Sequence, residues 1–124
     1  MRKREAIIVL AKTYDEGYIL DCKVRSGKLH VDFFKTLIQD HEGPTDAAQR
    51  LMLDASILYG ELEVQDPIYP RGGDIEVYHV FVATRSSTMD EECLTVDLET
   101  LIKYMELGVM HAEESKRALL QHLK

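Results

Sequence analysis

Residues 6–12, AIIVLAK, are apolar in six positions out of seven. A strand with one wet face alternates apolar and polar side chains, so an almost unbroken apolar run is the pattern of a strand covered on both faces. Asp15 and Gly17 then signal a turn over residues 13–17. From Gly17 to Arg25 the chain alternates, with Tyr18, Leu20, Cys22 and Val24 on one face and Asp21, Lys23 and Arg25 on the other. Ser26-Gly27-Lys28 turns the chain again. Residues 29–38 are rich in β-branched and aromatic types and predict one further strand.

A helix is predicted next. Gly43 as a small cap, Pro44 in the first turn and Asp46 near the positive end of the helix dipole mark its start. Ala47, Ala48, Leu51, Met52, Ala55 and Leu58 give it an apolar stripe through about Tyr59, and Gly60 ends it. Strands are predicted over 61–68 and 74–85, split by the loop Tyr69-Pro70-Arg71-Gly72-Gly73. A polar loop over 86–92 leads to a short strand at 93–96. Asp97 caps a helix to about Leu107, and a last helix runs from about 112 to 123. The order β-β-β-α-β-β-β-α-α favours an α+β sandwich over a doubly wound sheet. At 124 residues, 45% hydrophobic and 30% charged, the chain is expected to form one globular domain over 1–124.

Charge and cysteine usage narrow the function. The formal net charge is −7, from 22 acidic and 15 basic residues, which opposes nonspecific nucleic-acid binding. It also repels free nucleotides unless a metal or a local basic pocket intervenes. No apolar run approaches the roughly 20 residues of a membrane span. The start MRKREAIIVLAK lacks a small-residue cleavage site and reads as a first strand. Cys22 and Cys93 lack CxxC spacing, so a reducing cytoplasmic location is expected. The histidines His30, His41, His79, His111 and His122 show no metal-binding spacing. His79, mid-strand, reads as a satisfied strand histidine and His41-Glu42 as a solvated turn. Ser86-Ser87-Thr88 reads as a loop without a nucleophile elbow, and Gly72-Gly73 as a hairpin turn rather than a phosphate loop. Arg25, Lys28 and Arg71 are candidates to converge on an anionic ligand at the sheet mouth, against the commoner reading of scattered surface charge.

The stretch from Glu42 to Leu58, EGPTDAAQRLMLDASIL, resembles a Nudix box, which reads G-x5-E-x7-R-E-U-x-E-E-x-G-U with U aliphatic. Glu42 and Arg50 keep the required spacing, and Asp54 and Leu58 also fit, with Asp for Glu. Thr36 stands where the first Gly belongs, Leu51 and Ala55 where glutamates belong, and Ile57 where the second Gly belongs. Over about residues 5 to 122 the chain is similar to the ADP-ribose pyrophosphatase branch of that superfamily. Asp32-Phe33-Phe34-Lys35-Thr36 resembles the strand before the box, Tyr69-Pro70-Arg71-Gly72-Gly73-Asp74 its Gly-rich loop, and Asp90-Glu91-Glu92 its acidic loop.

The resemblance implies a Nudix-type α/β/α sandwich with a mixed, mainly antiparallel sheet. It implies Mg2+ or Mn2+ on the carboxylates matching Leu51, Asp54 and Ala55, an arginine matching Arg50 paired with the glutamate matching Glu42, and a base near Glu91 or Glu92. Leu51 and Ala55 carry no oxygen ligand, which leaves Asp54 as the one metal candidate and Glu42, Arg50, Glu91 and Glu92 as the catalytic candidates. The expected protein is therefore a Nudix-fold module with a degenerate metal site and no metal cofactor, binding a nucleotide-diphosphate-type small molecule or acting in regulation. One alternative is a divergent Mg2+- or Mn2+-dependent pyrophosphohydrolase of ADP-ribose or a related nucleoside diphosphate derivative. The other is a structural subunit of a complex. Larger members carry an N-terminal dimer-building domain that these residues do not include, and a homodimer of another kind or a protein partner stays open.

Overall fold

The apolar run forms the strand around which the sheet is built. The computed structural model describes residues 3–124. In chain order its elements are β1 (Arg4–Lys12), β2 (Tyr18–Arg25), β3 (Lys28–Asp32), β4 (Phe34–Leu37), α1 (Pro44–Asp54), β5 (Ile57–Leu58), β6 (Leu62–Val64), β7 (Ile75–Ala83), β8 (Ser87–Thr88), β9 (Leu94–Val96), α2 (Leu98–Glu106) and α3 (Glu113–His122). The main sheet runs β3-β2-β1-β7-β6, with β4 also paired to β1 and β9 to β2; β5 and β8 form a separate short ladder. Among the described residues only β1 and β7 run parallel, from Arg4 opposite Ile75 to Ala11 opposite Ala83. The pairs β1–β2, β1–β4, β2–β3, β2–β9 and β6–β7 are antiparallel. The sheet is thus mixed and mainly antiparallel.

Successive side chains of β1 point to opposite faces and serve two cores. Ile8 and Leu10 join Tyr18, Leu20, Phe33, Val80 and Val82 beneath α2 and α3, which contribute Leu101, Ala118 and Leu119. Ile7, Val9 and Ala11 join Ile19, Phe34 and Phe81 beneath α1, which contributes Ala47, Ala48, Leu51 and Met52. Residues 7–11 of β1 are 0% exposed, as the unbroken apolar run requires. Asp97 caps α2 by accepting the Thr100 N–H at 2.8 Å. The β2–β3 hairpin closes through Ser26 and Gly27, whose φ values of 52° and 73° are those of a two-residue primed turn matched to strand twist.

Four segments differ from the sequence reading, one of them the predicted loop 86–92, in which Ser87–Thr88 form β8 by pairing with Ile57–Leu58. The strand predicted over 29–38 is broken at Phe33, because β3 pairs with β2 whereas β4 pairs with β1. Phe33 is buried at the junction, and its N–H donates to Asp32 Oδ1 at 2.8 Å. The strand predicted over 61–68 is shorter, Leu62–Val64, followed by an isolated bridge between Ile68 and Tyr78. The helix predicted to reach Tyr59 ends at Asp54. Ser56 takes a left-handed φ of 59°, and Ile57–Leu58 then pair with Ser87–Thr88. Leu58 therefore lies outside the helix stripe and is 68% exposed, while Ile57 is 4% exposed: alternation, not helical periodicity, governs this stretch.

Leu51 and Ala55 differ in setting. Leu51 is 9% exposed and belongs to the core under α1; Ala55, the C-terminal cap residue, is only partly buried against it. Leu51→Glu is expected to destabilise the fold by roughly 3–5 kcal/mol, the range for a buried charge left without a partner. Ala55→Glu is expected to cost much less, because its carboxylate can reach water. Thermal melts of the two single variants check this, and equal small shifts would show that Leu51 is not a core position.

Candidate functional site

The best-defined polar constellation joins the start of α1 to β4. Glu42 sits in the loop before the helix and Arg50 two turns along it. Arg50 Nε donates to Glu42 Oε2 at 2.9 Å and Nη2 to Oε1 at 3.0 Å, a two-pronged pair that the planar guanidinium suits. The same guanidinium donates to the Leu37 carbonyl at 2.9 Å and to Thr36 Oγ1 at 3.3 Å. Glu42 also accepts the Gln39 N–H at 3.0 Å. The hydrogen bond from Arg50, followed by that from Gln39, pulls the Glu42 carboxyl down to about 2. A carboxylate so acidic and so fully engaged is a poor proton acceptor near neutral pH. The pair works as a clasp that fixes α1 on β4.

The other box candidates do not gather. Asp54 is 67% exposed at the helix end, with Oδ2 4.0 Å from Arg50 Nη1. Leu51 faces the core, and Ile57 is buried where the box pattern has its second glycine. Glu91 and Glu92 are exposed in the loop before β9, where the Glu92 N–H donates to Asp90 Oδ1 at 2.9 Å. Among the described residues no group of three or more His, Cys, Asp or Glu side chains is placed to hold one ion. The free thiols lie at the β2–β9 end of the sheet, Cys22 packed on one core and Cys93 on the other, and burial pushes both pKa values up.

A second site lies at the β2–β3 hairpin. A cleft of about 300 Å³ is lined by Lys23 and Arg25 of β2, His30 and Asp32 of β3, Lys35 of β4, and His111 from the turn before α3. His30 and His111 meet edge to face, with ring centroids 5.5 Å apart at 90°. The buried His30 Nδ1 has no hydrogen-bond partner, which is uncommon for a buried polar atom. Lys35 Nζ is held between Asp32 Oδ2 at 2.8 Å and Glu114 Oε1 at 3.0 Å, and the buried Ser115 hydroxyl donates to Asp32 Oδ1. This network ties the cleft floor to the first turn of α3. The walls above it remain polar and open.

Of the three cations singled out from sequence, Arg25 lines this cleft and Lys28 is its direct cross-strand partner. Arg71 is exposed in the loop before β7 and lines neither this cleft nor the broad groove beside Glu42. His79 Nε2 lies 2.8 Å from Glu5 Oε1, a partnered strand histidine. Sequence reasoning passed over Lys23, His30, Lys35 and His111. The alternation that put Asp21, Lys23 and Arg25 on one face was a usable signal for the first of these. The meeting of His30 with His111, 81 positions later, carries no local signal at all.

No family model matches the sequence, and no curated protein matches it significantly. Solved structures do. The crystal structure of an ADP compounds hydrolase is similar over 97% of this chain and 71% of its own, at 17% identity and a TM-score of 0.78. The solution structure of the E. coli ORF135 protein is similar over 99% and 90%, at 14% identity and a TM-score of 0.76. A Nudix hydrolase from Nitrosomonas europaea is similar over 98% and 89%, at 9% identity and a TM-score of 0.66. The protein has a Nudix fold. Hydrolases of that fold usually use divalent metals, and the positions that would hold them here present one exposed carboxylate, one buried leucine and one alanine. That donor set does not fit the near-octahedral oxygen shell that Mg2+ demands.

The clasp is expected to leave a pH signature. Because the folded-state pKa of Glu42 is depressed, its stabilisation is fully present above about 4.5, the ordinary value, and is lost as pH falls through about 2. Glu42→Gln should therefore melt below the wild type at pH 7, and the gap should narrow steadily between pH 4.5 and 2. Melting curves across that range check it. A gap that stays constant would show that the carboxylate charge is not what holds the clasp.

Proposed function

We propose that this protein is a Nudix-fold binding module that seats a nucleoside-diphosphate-type small molecule without hydrolysing it through a metal. The observation that carries this reading is Leu51. Its side chain is built into the core under α1 at the position where the box pattern calls for a carboxylate. Ala55 offers no ligand, and Asp54 stands alone. The surviving pair, Glu42 and Arg50, is spent on holding helix to strand. Meanwhile the cleft at the β2–β3 hairpin offers cations, two imidazoles and a firm floor, the mixture expected of a site for a polar anionic ligand. A role as regulator or subunit of a complex would use the same bound state.

A divergent hydrolase is the second reading. It is favoured by the likeness to a solved ADP compounds hydrolase, and it would draw on Asp54 with Glu91 or Glu92. That reading needs these exposed side chains to converge on one Mg2+ or Mn2+ ion.

Hydrolysis of ADP-ribose and of nucleoside diphosphate derivatives, assayed with Mg2+ or Mn2+, separates the two. Two missing ligands should cost several kcal/mol of transition-state stabilisation, at a factor of ten per 1.36 kcal/mol. Turnover is expected to fall roughly a thousandfold or more below about 1 per second. A kcat of about 1 per second that Asp54→Ala abolishes would overturn the binding-module reading and establish the hydrolase.

A further inference from the structure

One buried polar atom is left over by the fold. Among the described residues His30 Nδ1 is the buried side-chain nitrogen or oxygen without a hydrogen-bond partner. A neutral imidazole has one donor and one acceptor, so that nitrogen carries an N–H or a lone pair that the fold does not use. Burying a polar atom unpaired costs stability, and such an atom in a packed structure calls for a reason. The His111 ring stands against His30 edge to face, with centroids 5.5 Å apart at 90°. Aromatic packing accounts for that contact but not for the unused nitrogen. The backbone fixes both partners. His111 follows Met110, which is 0% exposed in the core beneath α2 and α3. The Val109 carbonyl accepts the Val31 N–H at 3.0 Å, so the turn before α3 is docked on the strand that carries His30. The two rings are thus brought together by secured elements, as a preorganised site requires.

We propose that His30 and His111 form a two-imidazole site for a transition-metal dication of the Zn2+, Ni2+ or Cu2+ class. Imidazole nitrogen suits these ions, whereas Mg2+ and Ca2+ prefer oxygen. Two imidazoles that share one Zn2+ at a Zn–N distance of about 2.0–2.1 Å have ring centroids about 5–6 Å apart. The observed 5.5 Å lies in that range. One ring nitrogen of each histidine binds the ion and water completes its shell, because among the described residues no third His, Cys, Asp or Glu is placed to join them. The opposing charges are Lys23, directly across the hairpin from His30, and Arg25 in the same cleft. Both are exposed, so solvent screens them, and Asp21 lines the cleft with the opposite sign. The bound ion joins β3 to the turn before α3. The site is separate from the helix face that carries Leu51, and it does not rest on the nucleotide reading.

Isothermal titration of the full chain, free of any histidine tag and of nucleotide, with Ni2+ and with Zn2+ tests the site. Saturable binding of about one ion per chain is expected, with Cu2+ tighter than either and no binding of Mg2+. His30→Gln and His111→Gln are each expected to weaken binding about tenfold or more, since loss of a group merely supporting a metal ligand already costs about 10–100-fold. The control His41→Gln/His122→Gln is expected to leave binding unchanged. Melting curves confirm that each variant is folded. His111 is exposed, so its substitution carries the test should His30→Gln fail to fold. In NMR spectra, substoichiometric Ni2+, which is paramagnetic, is expected to broaden the amides of residues 29–31 and 110–112 before any others. A wild-type Kd above about 1 mM for both ions overturns the site. Binding that ignores both histidines, an equal loss in the control, or broadening centred elsewhere overturns it as well.

Discussion

Residues 7–11 of β1 have no solvent on either side, and the rest of the molecule is arranged to keep it so. One edge of β1 is taken by β7 in parallel, and the other is shared between β4 along most of its length and β2 at its end. That sharing breaks the chain at Phe33 and carries residues 21–25 of β2, paired with β3, past the end of their ladder with β1. The two faces of β1 demand two helical layers, α1 on one side and α2 with α3 on the other. Burying Ile7, Ile8, Val9 and Leu10 at about 25 cal/mol per Å² is among the larger favourable terms available to the fold.

The same constraint shapes both candidate sites. α1 must press its apolar stripe onto the sheet, so a side chain at position 51 faces the core, and a leucine there strengthens the packing that a glutamate would weaken. The clasp of Arg50 with Glu42, Thr36 and Leu37 then fixes the helix against β4. The ribbon that diverges from β1 leaves a cleft between itself, β4 and the turn before α3. Its floor is secured by Lys35, Asp32, Glu114 and Ser115. Packing thus consolidates one face and opens another.

Much of this was legible in the residues. The apolar run of β1, the alternation of β2, the Asp97 cap and the Pro44 helix start each carry a local physical signal, and each element stands where that signal put it. The Glu42–Arg50 pair was legible through the resemblance to the box, which implies it. The helix end was not. Ala55 and Leu58 fit a helical stripe, and only the long-range pairing of Ile57–Leu58 with Ser87–Thr88 turns those residues into a strand. The break at Phe33 likewise depends on which neighbour each half finds. Of the residues lining the cleft, the sequence had singled out Arg25 as a ligand candidate; His111 and Lys35 reach it through tertiary contacts. Arg71, grouped with Arg25 and Lys28 by charge alone, lies outside the cleft because the loop before β7 belongs to another part of the sheet.

The central claim is that ligand binding sits at the hairpin cleft and not at the metal face of the helix. Backbone amide shifts followed by NMR during a titration with ADP-ribose, with and without Mg2+, address it most directly. The account predicts that shifts concentrate at residues 21–33 and 110–112, stay small at residues 50–55, and do not depend on Mg2+. Shifts centred on residues 50–55 that require Mg2+ would contradict it.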